Sequence, residues 1–225
     1  MKAKFAIRRG FTLVELLVVI VIIAALAGLT APMVLSKVKK ADQTEAISNA
    51  RQIGMAMFEF QSEYGRYPDT KTLATLTANG LTEEYTPTAG ADSNGYFLQL
   101  FAAGFTTSEQ MFFAKTGVSK KPDGNILGAE ALAAGEVGFG YILDGTDGLT
   151  TGANPACVLA VTPLAAGGAT FNPGTFDKKA VLLRLDNSVL VANVNKAGEA
   201  TVGSEELLAA KFWDDVEPTI VPPSE

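Results

Sequence analysis

The sequence predicts an α+β fold in which a long N-terminal α-helix, membrane-spanning in its first half, packs on an antiparallel β-sheet head. Three observations support this prediction. Residues 16–36 form a 21-residue stretch without a charged side chain. An amphipathic stripe follows up to Tyr64, and four short apolar runs rich in β-branched residues lie between residues 137 and 194. Uncharged stretches of that length are typical of membrane helices, and short strands joined by loops favour an antiparallel sheet.

The uncharged stretch is long enough to cross a membrane, because 21 helical residues span about 32 Å and the hydrocarbon core is about 30 Å thick. The first ten residues carry four basic side chains and no acidic one. This charge bias predicts a cytoplasmic N-terminus and a span over about residues 13–36. Glu15 lies at the start of the span, where a carboxylate costs energy unless it is paired or near the interface.

Three interpretations of this segment remain open. A secretory signal peptide could end at Ala27, but the apolar stretch continues beyond that residue. An uncleaved anchor gives Glu15 no role. Cleavage between Gly10 and Phe11 would create an α-amine four residues before Glu15, and the two groups could meet on one helix face or between neighbouring helices. Glu15 would then be satisfied beside a neighbouring subunit and would set the register of assembly.

The segment "RRGFTLVELLVVIVIIAALAGLTAPMV" resembles the class III signal of type IV prepilins and type II secretion pseudopilins. The matching positions are Gly10, Phe11, Thr12, Leu13, Glu15 and Pro32. The resemblance implies an aspartic prepilin peptidase that cleaves after Gly10, methylation of the Phe11 amine, and a role for Glu15 in recruiting subunits into a filament. It also implies a pilin-like head in the periplasm and a bacterial inner-membrane location before assembly. The implied partners are copies of the chain, other pilins and pseudopilins, the assembly platform and the lipid membrane.

The helix is predicted to continue beyond the membrane. A packing stripe comprises Ile47, Ala50, Ile53, Met57, Phe60 and Tyr64. This spacing places the side chains on one helical face, where the small Gly54 permits close approach. Pro32 predicts a kink, whereas Gly65 and Pro68 predict the helix end. The predicted boundaries are a cleaved leader at residues 1–10, the helix at 11–64 and the head at 65–225.

The head is predicted to contain short helices followed by strands. The expected strands cover residues 137–143, 156–162, 180–185 and 188–194. Asp186 and Asn187 form a tight turn between the last two. Helices are expected in "TKTLATLTANG", in "TTSEQMFFAKTG" with Thr107 as a cap, and in "GSEELLAAKFWDD" with Ser204 as N-cap. Trp213 is expected to be a packing anchor, and "PTAGADSNG" a loop.

The composition argues against an enzyme active site and against a nucleic-acid partner. The chain has no histidine, which excludes His-dependent catalysis, and its single Cys157 lies in an apolar run, typical of a packed thiol. The net charge is −6 although the leader is basic, so the head is acidic and no nucleic-acid partner is expected. No enzyme activity and no cofactor are predicted. Asp144 and Asp147 are weak calcium candidates, because the major pseudopilins that the chain resembles hold calcium in a loop of the head.

The subtype stays open at this point. A single cysteine excludes the C-terminal disulfide of many type IV pilins, and the head is long for a major pseudopilin. The predicted function is a structural subunit of a type II secretion pseudopilus or of a type IV pilus-like filament. The alternative is a minor pilin that acts as an adhesin or captures DNA, although the acidic head disfavours DNA capture.

Overall fold

The computed structural model describes residues 11–224, apart from the side chains of residues 30–32 and 129. The α-helices in this range are α1 (Leu13–Tyr64), α2 (Thr70–Ala78) and α3 (Ser93–Ala102). The strands are β1 (Gly140–Asp144), β2 (Val158–Thr162), β3 (Lys179–Arg184), β4 (Val189–Val194), β5 (Ala200–Val202), β6 (Glu205–Glu206) and β7 (Pro218–Val221). Single 3₁₀ turns cover Glu109–Phe112, Gly128–Glu130, Leu207–Ala209 and Lys211–Trp213. The predicted α+β class, with a long N-terminal helix and an antiparallel sheet, is confirmed.

The chain divides into two compact units at Val38 and Lys39, and the first described unit is the N-terminal part of α1. No single unbent helix in the described range meets the length and hydropathy criteria for a membrane span. A bent pair, Leu13–Leu29 and Met33–Tyr64, meets them by length and composition. The Pro32 side chain lies outside the described residues, so its role in this bend stays a prediction.

The second unit is built on the sheet, whose strand order is β6-β5-β4-β3-β2-β1-β7 with antiparallel pairing throughout. One face packs against α3 and the buried face of α1, including Ala50, Ile53 and Met57. The other face carries a second apolar cluster. Side chains alternate between these two faces along β1 and β3, as the pleat requires. The central strands are therefore buried on both sides.

The end of α1 follows the sequence prediction. Gly65 has a φ of +77°, which suits the left-handed cap, and its N–H donates to the Gln61 carbonyl. Gly54 lies where the β3–β4 turn approaches α1, and a Cβ there would come within 2.0 Å of Asn187 Oδ1. The predicted tight turn at Asp186 and Asn187 is confirmed, with Asn187 at a φ of +61°. Gly54 and this turn thus fix the approach of the sheet to the helix.

Helix α3 was not predicted, and part of the presumed loop "PTAGADSNG" forms its start. Asp92 caps the helix by accepting a hydrogen bond from the Gly95 N–H at 3.0 Å. All ten residues of α3 are buried. A helix that is enclosed on every side shows no amphipathic stripe, so periodicity could not reveal it.

The helix predicted in "TTSEQMFFAKTG" was wrong, because only a 3₁₀ turn forms and Thr107 does not cap it. Asn49 on α1 donates from Nδ2 to the Gln110 carbonyl at 3.0 Å and to the Phe113 carbonyl at 2.9 Å. The Gln110 carbonyl also accepts the Phe113 N–H at 3.2 Å, whereas the Phe113 carbonyl is satisfied by this distant side chain rather than by a next helical turn.

The predicted C-terminal helix was also wrong. Glu205 and Glu206 pair with β5 as a short strand, and two 3₁₀ turns follow. Leu207, Ala210 and Trp213 are buried at a spacing of three residues. That period matches the 3₁₀ geometry, in which residues i and i+3 eclipse, rather than the 3.6 of an α-helix. This segment, residues 205–216, forms a strap over the second face of the sheet.

Trp213 anchors the strap, as predicted, with 3% of its surface exposed. Its Nε1–H donates to the Leu207 carbonyl at 2.6 Å. We expect Trp213→Ala to lower the free energy of unfolding by about 3–5 kcal/mol, since it leaves a large cavity. Trp213→Phe keeps most of the packing and should cost less than half as much. Urea denaturation of the detergent-solubilised chain, followed by circular dichroism, measures both, and equal losses in the two variants would contradict the anchor role.

Candidate functional site

The described chain begins with a capping box at the start of α1. The Thr12 N–H and hydroxyl both donate to Glu15 Oε2, at 2.8 and 2.7 Å, and the Glu15 N–H donates to Thr12 Oγ1 at 3.2 Å. This reciprocal arrangement satisfies backbone donors that a helix start leaves open, and a carboxylate there also suits the helix dipole. The sequence signal was T-x-x-E, which the prediction for Glu15 did not use. Gly10, the residue before the predicted cleavage, lies outside the described residues.

The first unit exposes a continuous apolar surface. Its large apolar side chains from Phe11 to Val38 are between 44% and 88% exposed. Patches on soluble monomers seldom exceed a few hundred Å², so a surface of this extent indicates contact with lipid or with other apolar helices. Glu15 is the one acidic residue in the first turn of this surface.

A buried carboxylate joins the end of α1 to the head. Asp69 is fully buried, caps α2 by accepting hydrogen bonds from the Lys71 and Thr72 N–H groups, and pairs with Arg66 Nη1 at 2.6 Å. It also accepts a hydrogen bond from the Gly148 N–H at 3.1 Å. One side chain therefore connects three segments, although no functional prediction from the sequence included it.

The pKa of Asp69 gives the head a predictable acid response. Burial disfavours the ionised carboxylate, but hydrogen bonds from Thr72, Gly148 and Arg66 outweigh burial and lower its pKa. A lowered folded-state pKa stabilises the fold above the unfolded pKa, and this contribution is lost as the pH falls through the folded value. We expect the free energy of unfolding to drop below about pH 4. In Asp69→Asn that drop should be smaller, as thermal unfolding across pH would measure, and an unchanged pH profile would contradict this assignment.

The predicted calcium candidates do not fit a cation site. Asp147 Oδ2 pairs with Lys71 Nζ and lies 3.9 Å from Arg66 Nη1. Asp144 Oδ1 accepts a hydrogen bond from the Glu217 N–H at 2.9 Å. A carboxylate already neutralised by an ammonium group is a poor ligand for a second cation, so these residues close the turn after β1 instead.

Within residues 11–224, three other carboxylates lie close enough to share an ion: Glu109, Asp123 and Glu136, with ligand atoms within 4.8 Å of one another. Both oxygens of Glu109 accept backbone N–H groups, from Leu132 and Gly124. Burial and the neighbouring Glu109 charge raise the pKa of Glu136, despite a hydrogen bond from the Asp123 N–H. These hydrogen bonds from Leu132, Gly124 and Asp123 show that the group organises the loop before β1.

Cys157 is buried and packs in the second apolar cluster. Burial and the nearby Asp214 charge raise its pKa to about 11. A protonated, enclosed thiol is a poor nucleophile, which agrees with the predicted packing role.

A match to a known family model lies in the N-terminal part. Residues 6–31 match the family model described as the prokaryotic N-terminal methylation motif. The match includes the predicted cleavage point and Glu15. No solved structure matches the chain significantly.

Several curated relatives share one description, type II secretion system core protein G. The protein from Escherichia coli (strain K12) is 36% identical over 103 residues, which covers 40% of this chain and 71% of that protein. The Aeromonas hydrophila protein is 35% identical over 91 residues, covering 40% of this chain and 63% of the relative. The protein from Pectobacterium carotovorum subsp. carotovorum is 39% identical over 64 residues, 28% of this chain.

The matched part of the chain spans 41% of the length of the Pectobacterium protein but more than two thirds of the Escherichia coli protein. The methylation motif, the long exposed apolar helix and the identity to the Escherichia coli protein all indicate the same family. The chain therefore belongs to the family of type II secretion system core protein G, within the superfamily of type IV pilins and pseudopilins.

Proposed function

We propose that this chain is a structural subunit of a type II secretion pseudopilus. A leader of residues 1–10 is removed by prepilin peptidase between Gly10 and Phe11, and the new Phe11 amine is methylated. Residues 11–64 form the helix, which crosses the inner membrane over about 13–36, and residues 65–225 form a periplasmic head. The methylation motif at residues 6–31, followed by an exposed apolar helix, is the observation that carries this proposal.

Assembly follows from the chemistry of the first unit. An exposed apolar helix is stable in lipid, and it is equally stable when other apolar helices replace the lipid. Glu15 determines which arrangement is favoured, because an unpaired carboxylate near hydrocarbon is costly. In a filament, the Phe11 amine of a neighbouring subunit would lie beside Glu15 and neutralise it. A subunit thus leaves the membrane when its Glu15 can lie beside the Phe11 amine of a neighbouring subunit.

The proposed partners follow from the same features. Copies of this chain and other pseudopilins contact the helix, the prepilin peptidase acts on the leader, and an inner-membrane platform receives the subunit. The curated relatives are secretion-system proteins rather than adhesins or enzymes, so the minor-pilin alternative gains no support. No catalytic role is proposed.

Deletion of the gene tests this function. We expect loss of exoprotein secretion with normal surface attachment, and restoration of secretion by the wild-type gene. Normal secretion together with lost attachment would favour an adhesive pilin instead. Cell fractionation provides a control, because the unprocessed chain should remain with the inner membrane.

A further inference from the structure

The second unit carries an apolar groove on the exposed side of α1. Met55 and Phe58 form one wall, with 53% and 54% of their surfaces exposed. Leu185, Asp186 and Asn187 in the β3–β4 turn form the other, around a cavity of about 360 Å³. Large apolar side chains that are half exposed in a concave surface are typical of interaction sites.

The groove is built into the fold. Asn187 lies so close to Gly54 that no Cβ could fit between them, so the turn rests directly on the helix backbone. The Asn187 Oδ1 atom is buried and accepts no hydrogen bond. A helix with any larger residue at position 54 would hold the turn away and change the shape of the groove.

The rim of the groove is acidic. Glu59 and Asp186 line it with exposed side chains, and Glu63 follows one helical turn after Glu59. In the described part of the chain, none of these three carboxylates forms an ion pair with a lysine or arginine. A partner should therefore combine apolar side chains with a positive charge between them.

One segment of this same chain has that chemistry. Val34 and Val38 are 56% and 50% exposed, and Lys37 between them is exposed too. Positions 34, 37 and 38 lie on one helical face, because residues three and four apart are neighbours. Lys39 and Lys40 add further positive charge beside this face.

We infer that the groove of one copy binds the Val34–Lys37–Val38 face of α1 in a second copy. The valines contact Met55 and Phe58, and Lys37 lies against Glu59 and Asp186. The offset between positions 34 and 58 is 24 residues, which corresponds to about 36 Å of helix between parallel copies. This inference rests on the proposed function and specifies which surfaces of the subunits meet.

Cysteine cross-linking of the full-length chain in its native host tests the contact. Val34→Cys combined with Phe58→Cys should give a ladder of oxidised multimers in sheared filaments. Val34→Cys combined with Ala197→Cys is the matched control, since Ala197 is exposed in the β4–β5 turn, away from the groove, and should give no ladder. The native Cys157 is fully buried and can stay in place.

A charge exchange supplies an independent readout. Glu59→Lys alone and Lys37→Glu alone should each lower filament yield about fivefold, the equilibrium factor of an exposed ion pair. The double variant should restore it. Wild-type filaments without the 34–58 ladder, or a double variant without rescue, would overturn the groove assignment alone. Absence of filaments from the wild-type chain would overturn the proposed function and this inference with it.

Discussion

Glu15→Gln should abolish filament formation while leaving leader cleavage intact. Glutamine can maintain the capping box with Thr12, because either Glu or Gln serves at that position. It cannot neutralise a neighbouring α-amine. Removing one partner of a buried ion pair costs about 3–5 kcal/mol, which lowers the constant for adding each subunit by more than about a hundredfold. Immunoblots of sheared filaments and of the membrane fraction measure assembly and processing separately.

Thr12→Ala is the matched control for this variant. It removes the cap, at a cost of about 1 kcal/mol, but keeps the Glu15 charge. Filaments should therefore persist in Thr12→Ala. If Glu15→Gln assembled normally while Thr12→Ala did not, the capping box rather than the charge would govern assembly, and the role given to Glu15 would have to be withdrawn.

Asp69→Ala should lower the free energy of unfolding of the head more than any surface substitution does. The change leaves the partly buried Arg66 without its carboxylate and removes the acceptor of the Lys71, Thr72 and Gly148 N–H groups. Breaking a buried pair in this way costs about 3–5 kcal/mol. Urea denaturation followed by the fluorescence of the single tryptophan, which lies in the strap, would report the loss.

The neighbouring Asp147 offers the control for Asp69. Its side chain is 42% exposed and pairs with the exposed Lys71. Exposed ion pairs contribute less than about 1 kcal/mol, so Asp147→Asn should change the free energy of unfolding only slightly. Comparable losses of unfolding free energy in the two variants would mean that the stabilisation by Asp69 does not depend on its burial.

The long helix and its end could be predicted because local signals were strong there. A continuous apolar stretch, a stripe at helical spacing and a Gly65–Pro68 stop each depend on near neighbours in the chain. The central strands were found for a similar reason, since β3 and β4 are apolar runs around a turn at Asn187. Strands β5, β6 and β7 have two to four residues and carry too little pattern to be recognised.

The remaining features depend on tertiary contacts. Helix α3 shows no amphipathic stripe because the fold encloses all of its residues. In the strap, Leu207, Ala210 and Trp213 all pack in the second apolar cluster, and their three-residue spacing matches 3₁₀ turns. At the candidate site, Glu15 could be identified because it is a charged residue at the start of an apolar stretch. Its hydrogen bonds with Thr12 were not predicted. Asp69 meets Gly148 across 79 positions of sequence, and no local pattern could show that contact.

The N-terminus of the native, membrane-extracted protein, determined by mass spectrometry, is the most direct test of the central claim. The account predicts a chain that begins at N-methylated Phe11. A chain that begins at Gly28 would indicate ordinary signal-peptide removal and loss of most of the apolar helix. A chain that retains Met1 would show an uncleaved anchor, and either result would contradict assembly through Phe11 and Glu15.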